Sequence, residues 1–91
     1  MEKLPHFKSE GNLARHLKTP YALLAYEKLF LGNQIKKLRK KAGMTQADLA
    51  KKLKTSQSVV ARMENGKQNF TLGTLVSLSV ILERKLHIRL A

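Results

Sequence analysis

The sequence predicts an all-α fold with one short C-terminal β-strand, and two patterns lead to this prediction. Apolar residues recur at the helical spacing from Tyr21 to about Glu83, and helix start and stop signals divide that stretch. Leu86, Ile88 and Leu90 then alternate with polar residues, which is the period-two pattern of a half-buried strand. A length of 91 residues suits one compact domain.

The first part of the chain, residues 1–30, is predicted to be an N-terminal extension that is partly helical. Its first twenty residues mix Pro, Gly, Ser, Asn and charged residues. Leu13 and Leu17 stand one helical turn apart, so a short helix can precede Pro20. Residues 31–91 are predicted to form the main domain.

A helical pattern of apolar residues runs from Tyr21 to Ala42, and it fits either one long helix or two helices joined near Gly32. Gly43 follows a pair of lysines. A glycine after basic residues commonly ends a helix because it accepts the left-handed cap conformation. We therefore expect the helix to stop there.

Two short helices joined by a tight turn are predicted next. Thr45 and Asp48 have the spacing of a capping box, so a helix should begin at Gln46. It should end near Leu53, and Ser56 is a suitable N-cap for the second helix. The apolar faces of the two helices comprise Leu49, Leu53, Val59, Val60 and Met63.

A further helix is predicted from residue 70 or 71 to about 83, with Leu72, Leu75, Val76, Ser79 and Leu82 on its inner side. The strand that follows cannot satisfy its own backbone hydrogen-bonding groups. We therefore expect Leu86, Ile88 and Leu90 to lie in a strand that pairs with the same strand of a second copy, which would make the chain a homodimer.

The charge balance indicates a polyanionic partner. Eighteen Lys and Arg against six Asp and Glu give a net charge of +12 and a sequence pI near 10.4. A solvated basic surface would account for the charge as well. Between Asn33 and Asn65, however, nine basic residues are opposed by only Asp48 and Glu64. The positive charge is therefore concentrated where the helical signals are strongest.

The segment MTQADLAKKLKTSQSVVARMENGK, from Met44 to Lys67, resembles the phage-repressor-like, or Xre-type, helix-turn-helix family. The elements TQxxLA, SQS and ENGK occur together, and the likeness covers about residues 33–82. It implies a five-helix repressor-like domain that binds double-stranded operator DNA in a sequence-specific way and regulates transcription.

The resemblance also assigns DNA contacts residue by residue, although Gln46 and Gln57 could be ordinary surface glutamines. Gln46 would contact phosphate from a helix N-terminus. Gln57, Ser58 and Arg62 would face the major groove, where Gln can read adenine and Arg can read guanine. The candidate DNA-binding residues implied in this way are Gln46, Thr55, Ser56, Gln57, Ser58, Ala61, Arg62, Asn65 and Lys67. Asn65 and Lys67 would fix the register through phosphates.

The resemblance also bears on three further positions. Arg39 and Glu64 match positions that form a partly buried ion pair in many relatives, although two solvated charges are the simpler alternative. Lys54 stands where relatives usually have a glycine with positive φ, and a lysine there would cost about 1 kcal/mol.

The flanking segments resemble two types of antitoxin. LKTP at residues 17–20 and AYE at residues 25–27 precede the helix-turn-helix in an order that resembles HigA-type antitoxins. The predicted C-terminal strand is similar to that of HipB-type antitoxins. This resemblance implies a protein toxin as a second partner and repression of the chain's own operon. A stand-alone regulator without a toxin is the alternative. Leu23, Tyr26 and Phe30 could contact a toxin or pack within the domain's own core.

Other classes of function are disfavoured. The sequence offers no paired carboxylates, nucleophile motif or phosphate-cradling glycine loop, so we expect no enzyme and no cofactor. The three histidines share no metal-ligand spacing, and there is no cysteine. No apolar run could span a bilayer, and a secretory signal is not evident, so a cytoplasmic location is expected.

Overall fold

The computed structural model describes residues 19–90, which form four α-helices: α1 (Pro20–Lys41), α2 (Gln46–Leu53), α3 (Gln57–Glu64) and α4 (Leu72–Ile81). Helix α1 is continuous, which decides between the two alternatives that the sequence left open. It also runs across residues 30 and 31, where the N-terminal extension was predicted to end. The division into an extension and a domain stays a prediction. The short helix expected before Pro20 lies outside the described residues.

Each of these helices begins at a side-chain cap. Thr19, Thr45, Ser56 and Thr71 each accept a hydrogen bond from the backbone N–H three residues later. At α2 the predicted capping box is complete, because the Asp48 carboxylate also accepts from the Thr45 N–H at 2.9 Å. At the other end of α1, Gly43 has a φ of +76°. The starts of α2 and α3 and the end of α1 agree with the signals in the sequence.

The core lies where the four helices meet. Ile35 of α1, Leu49 and Ala50 of α2, Val60 of α3 and Leu78 of α4 form one buried apolar cluster. Leu31, Leu53, Phe70, Ile81 and Leu82 pack against it. Helix α3 packs against both α1 and α2, and α4 packs against α2. This packing fixes α3 on two sides and leaves its third side free to face a ligand.

The C-terminal half of α1 approaches α3 closely at Gly32. A Cβ atom at Gly32 would lie 2.3 Å from the Met63 carbonyl oxygen and 2.9 Å from that of Glu64. Only a glycine leaves room for the end of α3 to lie against α1. Gly32, which the sequence suggested as a possible joint between two helices, is therefore a point of close helix contact.

The prediction of five helices with a C-terminal β-strand is wrong. Residues 19–90 contain four helices and no strand. Leu86 and Ile88 lie instead along a groove that they line with Phe30 and Leu31 of α1 and Leu75 of α4. Alternating apolar residues specify only which side chains face an apolar surface. A strand also needs a neighbouring strand to pair with, and this part of the chain offers none.

The inner side predicted for α4 is only partly correct. Leu78 is buried and Leu75 and Leu82 are half-buried, but Leu72 and Val76 are 62% and 47% exposed. Because α4 is apolar on nearly every side, its sequence pattern could not distinguish the face that meets α2 from the opposite face. Within residues 19–90, no helix is both long and apolar enough to cross a membrane.

Candidate nucleic-acid interface

The candidate interface is the exposed side of α3, opposite its buried residues. Val60 and Met63 point into the protein with 0% and 4% of their surface exposed, and they hold the helix in place. Gln57, Ser58 and Arg62 lie on the other side and are exposed. Ser58 and Arg62 are four residues apart, so helical spacing places them on one side of α3, and Gln57 precedes Ser58 as the first residue of the helix. The three predicted base-reading residues therefore share one accessible surface.

The remaining candidate residues surround this face. Ser56, Asn65 and Lys67 are exposed, whereas Gln46, Thr55 and Ala61 are half-buried. The backbone N–H of Lys67 donates to the Arg62 carbonyl at 2.9 Å, which holds the chain close to the end of α3. Lys67, which follows α3, is thus held next to that helix. Whether each of these residues contacts DNA stays a prediction.

Ser56 and Ser58 interact with each other at the start of α3. The Ser56 hydroxyl accepts from the Val59 N–H at 3.3 Å, as expected of an N-cap, and lies 3.0 Å from the Ser58 hydroxyl. The two side chains therefore fix each other at the first turn of α3. A hydroxyl can both donate and accept, so each retains capacity for a ligand contact.

A chain of hydrogen bonds joins the ends of three helices beneath this surface. The side chains of Arg39 and Glu64 are 8% and 2% exposed, and the Arg39 Nε lies 2.6 Å from the Glu64 Oε2. The Gln46 Nε2 donates to the Glu64 Oε1 at 3.1 Å. The Gln57 Nε2 donates in turn to the Gln46 Oε1 at 3.4 Å. The buried ion pair thus holds Gln46, and Gln46 holds Gln57.

The charges within this network favour its ionised form. Hydrogen bonding to Glu64 raises the pKa of Arg39, although burial opposes the shift. Burial raises the pKa of the Glu64 carboxyl, but the hydrogen bonds from Arg39 and Gln46 and the charges of Arg39 and Lys36 outweigh it, so the pKa lies below its ordinary value. Glu64 is therefore a carboxylate at neutral pH.

Sequence reasoning missed two features of this site. Gln46 was predicted to contact a phosphate, but its hydrogen bonds to both Glu64 and Gln57 were not predicted. Sequence reasoning also gave Lys36 no role, although its charge acts on Glu64 and its side chain is exposed. No spacing rule could have found these contacts, because they join residues from different helices.

The turn between α2 and α3 has the backbone that the resemblance implied. Lys54 is the C-cap of α2 with a φ of 60° and a ψ of 45°, in the left-handed region. Its exposed side chain adds a positive charge close to Lys51 and Lys52 of α2. The basic residues of α2 therefore stand beside the turn that leads into α3.

Comparison with known proteins gives concordant matches. Residues 35–88 match the family model described as Helix-turn-helix. Antitoxin HipB of Escherichia coli O6:H1 (strain CFT073) is 31% identical over 67 residues, covering 69% of this chain and 71% of that protein. Antitoxin HipB of Escherichia coli K12 is 32% identical over 65 residues, covering 67% and 74%.

The fold has a counterpart among solved structures. The restriction-modification controller protein C.AhdI from Aeromonas hydrophila superimposes with a TM-score of 0.63 at 24% sequence identity. The superposition covers 67% of this chain and 88% of that one. This likeness supports the arrangement of helices described above.

Proposed function

This chain belongs to the Xre-type helix-turn-helix family of DNA-binding regulators, and from this premise we propose that it represses transcription as a homodimer on an operator with two half-sites. The proposal includes a cytoplasmic location, where the operator would be accessible. It assigns the chain no catalytic step.

The observation that carries the proposal is the exposed face of α3. A recognition helix must present polar side chains to base edges while its other side is held rigidly. Gln57, Ser58 and Arg62 are exposed together, and the buried Val60 and Met63 anchor the same helix. Arg62 has two parallel donors for guanine, and Gln57 has the donor and acceptor that match adenine.

The contact between Gln46 and Gln57 supports a reading role for Gln57. An amide nitrogen carries two protons, and Gln57 uses one of them toward the Gln46 Oε1. Its second proton and its own Oε1 remain for the two groups that adenine presents in the major groove. Gln46 likewise uses one amide proton toward Glu64 and has one left for a phosphate. The network thus orients both amides for DNA before binding.

The surrounding charge supports contact with the phosphate backbone. Lys51, Lys52 and Lys54 are exposed on and after α2, and Lys67 is exposed after α3. Each lysine that neutralises a phosphate releases counterions, so the affinity should fall steeply with salt. These contacts would hold the protein on DNA of any sequence, while α3 selects the site.

We further propose that the chain is the antitoxin of a toxin–antitoxin pair that represses its own operon. The support is its similarity to two antitoxins named HipB, each matched over more than two thirds of its length. A stand-alone regulator remains the competing function. The basic charge of +12 favours that alternative if the partner is itself basic, because two such proteins would repel each other.

Selection of bound fragments from a random duplex library tests the DNA-binding proposal. We expect an inverted repeat whose half-sites lie about one helical turn, ~34 Å, apart. Gln57→Ala should lose the preference at one base pair within each half-site. Recovery of fragments without a shared sequence would contradict sequence-specific binding.

Expression of the neighbouring gene tests the antitoxin proposal. We expect its product to arrest growth when expressed alone and to be neutralised when this chain is expressed with it. Arg62→Ala should preserve neutralisation while reducing repression, because Arg62 belongs to the DNA face. A neighbouring product that has no effect on growth would favour the stand-alone regulator.

A further inference from the structure

An apolar groove lies between α1 and α4, under the chain that follows α4. It contains two adjoining cavities of about 270 and 120 Å³, and Leu31, Leu75 and Leu86 line both of them. The smaller cavity reaches the core, since the buried Ile35 and Leu78 form part of its wall. None of the candidate DNA-binding residues, all of which the structure describes, lines either cavity. The groove is therefore a second concave surface, separate from the exposed side of α3.

Residues 84–90 close this groove only loosely. The last backbone hydrogen bond along the chain runs from the Arg84 N–H to the Ser79 carbonyl at 2.9 Å, and none joins residues 85–90 to the rest of the described chain. The side chains of Leu86 and Ile88 hold the segment in place, although they are still 38% and 58% exposed. A segment with few buried contacts and no hydrogen bonds opens at a small cost in free energy. A ligand can therefore enter beneath it.

The mouth of the smaller cavity is basic. Arg84 and Lys85 line it, and no carboxylate does so among the residues that the structure describes. Both side chains are exposed, and neither forms an ion pair within residues 19–90. The larger cavity has the Glu27 carboxylate in its wall. A negatively charged group is therefore favoured at the mouth of the smaller cavity.

We propose that this groove binds a small amphipathic anion of the class of medium-chain carboxylates. Its alkyl chain would lie between α1 and α4, and its carboxylate would meet Arg84 and Lys85. Ligand sites are typically concave and mostly apolar, with a few polar groups that orient the ligand. A guanidinium suits the carboxylate because it can form two parallel hydrogen bonds to it. Enclosure by residues 84–90 favours a small molecule over a partner protein, which needs about 800 Å² of accessible surface on each side.

Binding at this site should stabilise the fold. The alkyl chain would pack against Ile35 and Leu78, which belong to the same buried cluster as Val60 of α3. A ligand that binds only the folded chain raises the free energy of unfolding as its concentration rises above the dissociation constant. Each further methylene buried in the groove should tighten binding about fourfold.

Titration calorimetry with sodium decanoate, below its micellar concentration, tests the site on the full chain. We expect saturable binding of one molecule per chain. Octanoate should bind about fifteenfold more weakly, because it lacks two methylenes. Decylamine has a chain of the same length but a positive head group, so it should not bind.

Three variants locate the ligand. Arg84→Gln with Lys85→Gln should weaken decanoate binding about tenfold, because the carboxylate loses charged donors. Lys36→Gln with Lys37→Gln is the matched control, since it removes the same charge from an exposed part of α1 outside both cavities. Ser79→Leu extends a side chain into the smaller cavity and should also weaken binding. Circular dichroism should show that this variant is folded, because leucine favours a helix more than serine does.

The outcomes separate the site from simpler explanations. If the control pair on α1 loses as much affinity as the pair at the cavity mouth, the anion responds only to the net charge of the chain, and the proposed site is wrong. Equal binding by the wild type and Ser79→Leu overturns the placement of the alkyl chain. Binding of decylamine, or no saturable binding of decanoate, overturns the proposal as a whole. The effect of Arg62→Ala on base selection is measured without decanoate, so the DNA-binding proposal stands or fails separately.

Discussion

The guanidinium of Arg39 donates to both carboxylate oxygens of Glu64, from Nε to Oε2 at 2.6 Å and from Nη2 to Oε1 at 3.1 Å. The Nη1 of Arg39 donates to the Met44 carbonyl at 2.7 Å, which also ties down the loop between α1 and α2. One arginine therefore joins α1, this loop and the end of α3. A buried bidentate pair of this kind fixes the geometry of the elements that it joins.

Removing the carboxylate should destabilise the protein strongly. We expect Glu64→Gln to lower the free energy of unfolding by about 3 kcal/mol, because it leaves the buried Arg39 charge without a counterion. The double variant Arg39→Met with Glu64→Leu is the control. It should lose much less, since apolar side chains avoid the cost of desolvating two charges. Equal losses in urea unfolding would contradict this explanation.

The same pair should make stability depend on acidity. The pKa of Glu64 lies below its ordinary value of 4.5, which applies in the unfolded chain. A carboxyl whose pKa is lowered by folding stabilises the protein above the unfolded pKa, and this contribution disappears as the pH falls through the folded pKa.

The difference in unfolding free energy between wild type and Glu64→Gln should therefore be constant from about pH 7 to pH 5 and shrink below about pH 4.5. Asp48, whose pKa is lowered chiefly by its hydrogen bond from the Thr45 N–H, is present in both proteins. Its contribution cancels in the difference. A difference that grows in acid would refute the ion-pair explanation.

Gly32 should not tolerate a side chain. We expect Gly32→Ala to lower the free energy of unfolding by about 3 kcal/mol, because the new Cβ would collide with the carbonyls of Met63 and Glu64, and backbone atoms cannot move aside cheaply. Asn33→Ala is the control at an exposed neighbouring position. It should be neutral or slightly stabilising, since alanine favours a helix. Similar unfolding midpoints for both variants would argue against the close contact.

Lys54 should be replaceable by glycine with a gain in stability. The left-handed backbone, with a φ of 60°, costs a lysine about 1 kcal/mol, and glycine avoids that cost. Lys54→Ala removes the same charge but keeps the strain, so it should show no comparable gain. Both variants should lose the same DNA affinity, because both lose one positive charge. Thermal unfolding and a salt titration of DNA binding measure the two effects.

Arg62 and Lys67 should differ in what their loss does to DNA binding. We expect Arg62→Ala to cost about 1–3 kcal/mol and to relax the preference at one base pair. Lys67→Ala should weaken binding to all sequences similarly and reduce the slope of affinity against salt by about one. Competition binding with operator variants distinguishes the two. An equal loss on every sequence for Arg62→Ala would remove its reading role.

The sequence by itself determined the local features of this protein. The N-caps Thr45 and Ser56, the turn at Lys54 and the apolar faces of α2 and α3 all depend on neighbours within a few residues. Such local interactions require particular residue types at fixed intervals along the sequence. The positions of both short helices and the exposure of Gln57 and Arg62 could therefore be predicted.

Only the tertiary structure decided the contacts between elements. The Gln46 amide joins Glu64 to Gln57, Gly32 meets the end of α3, and the residues after α4 lie along a groove instead of in a strand. It also decided which side of α4, a helix without charged residues, is buried. The reason is physical. Spacing along a chain records which residues share a face, but which face meets which partner depends on the free energy of packing the whole molecule.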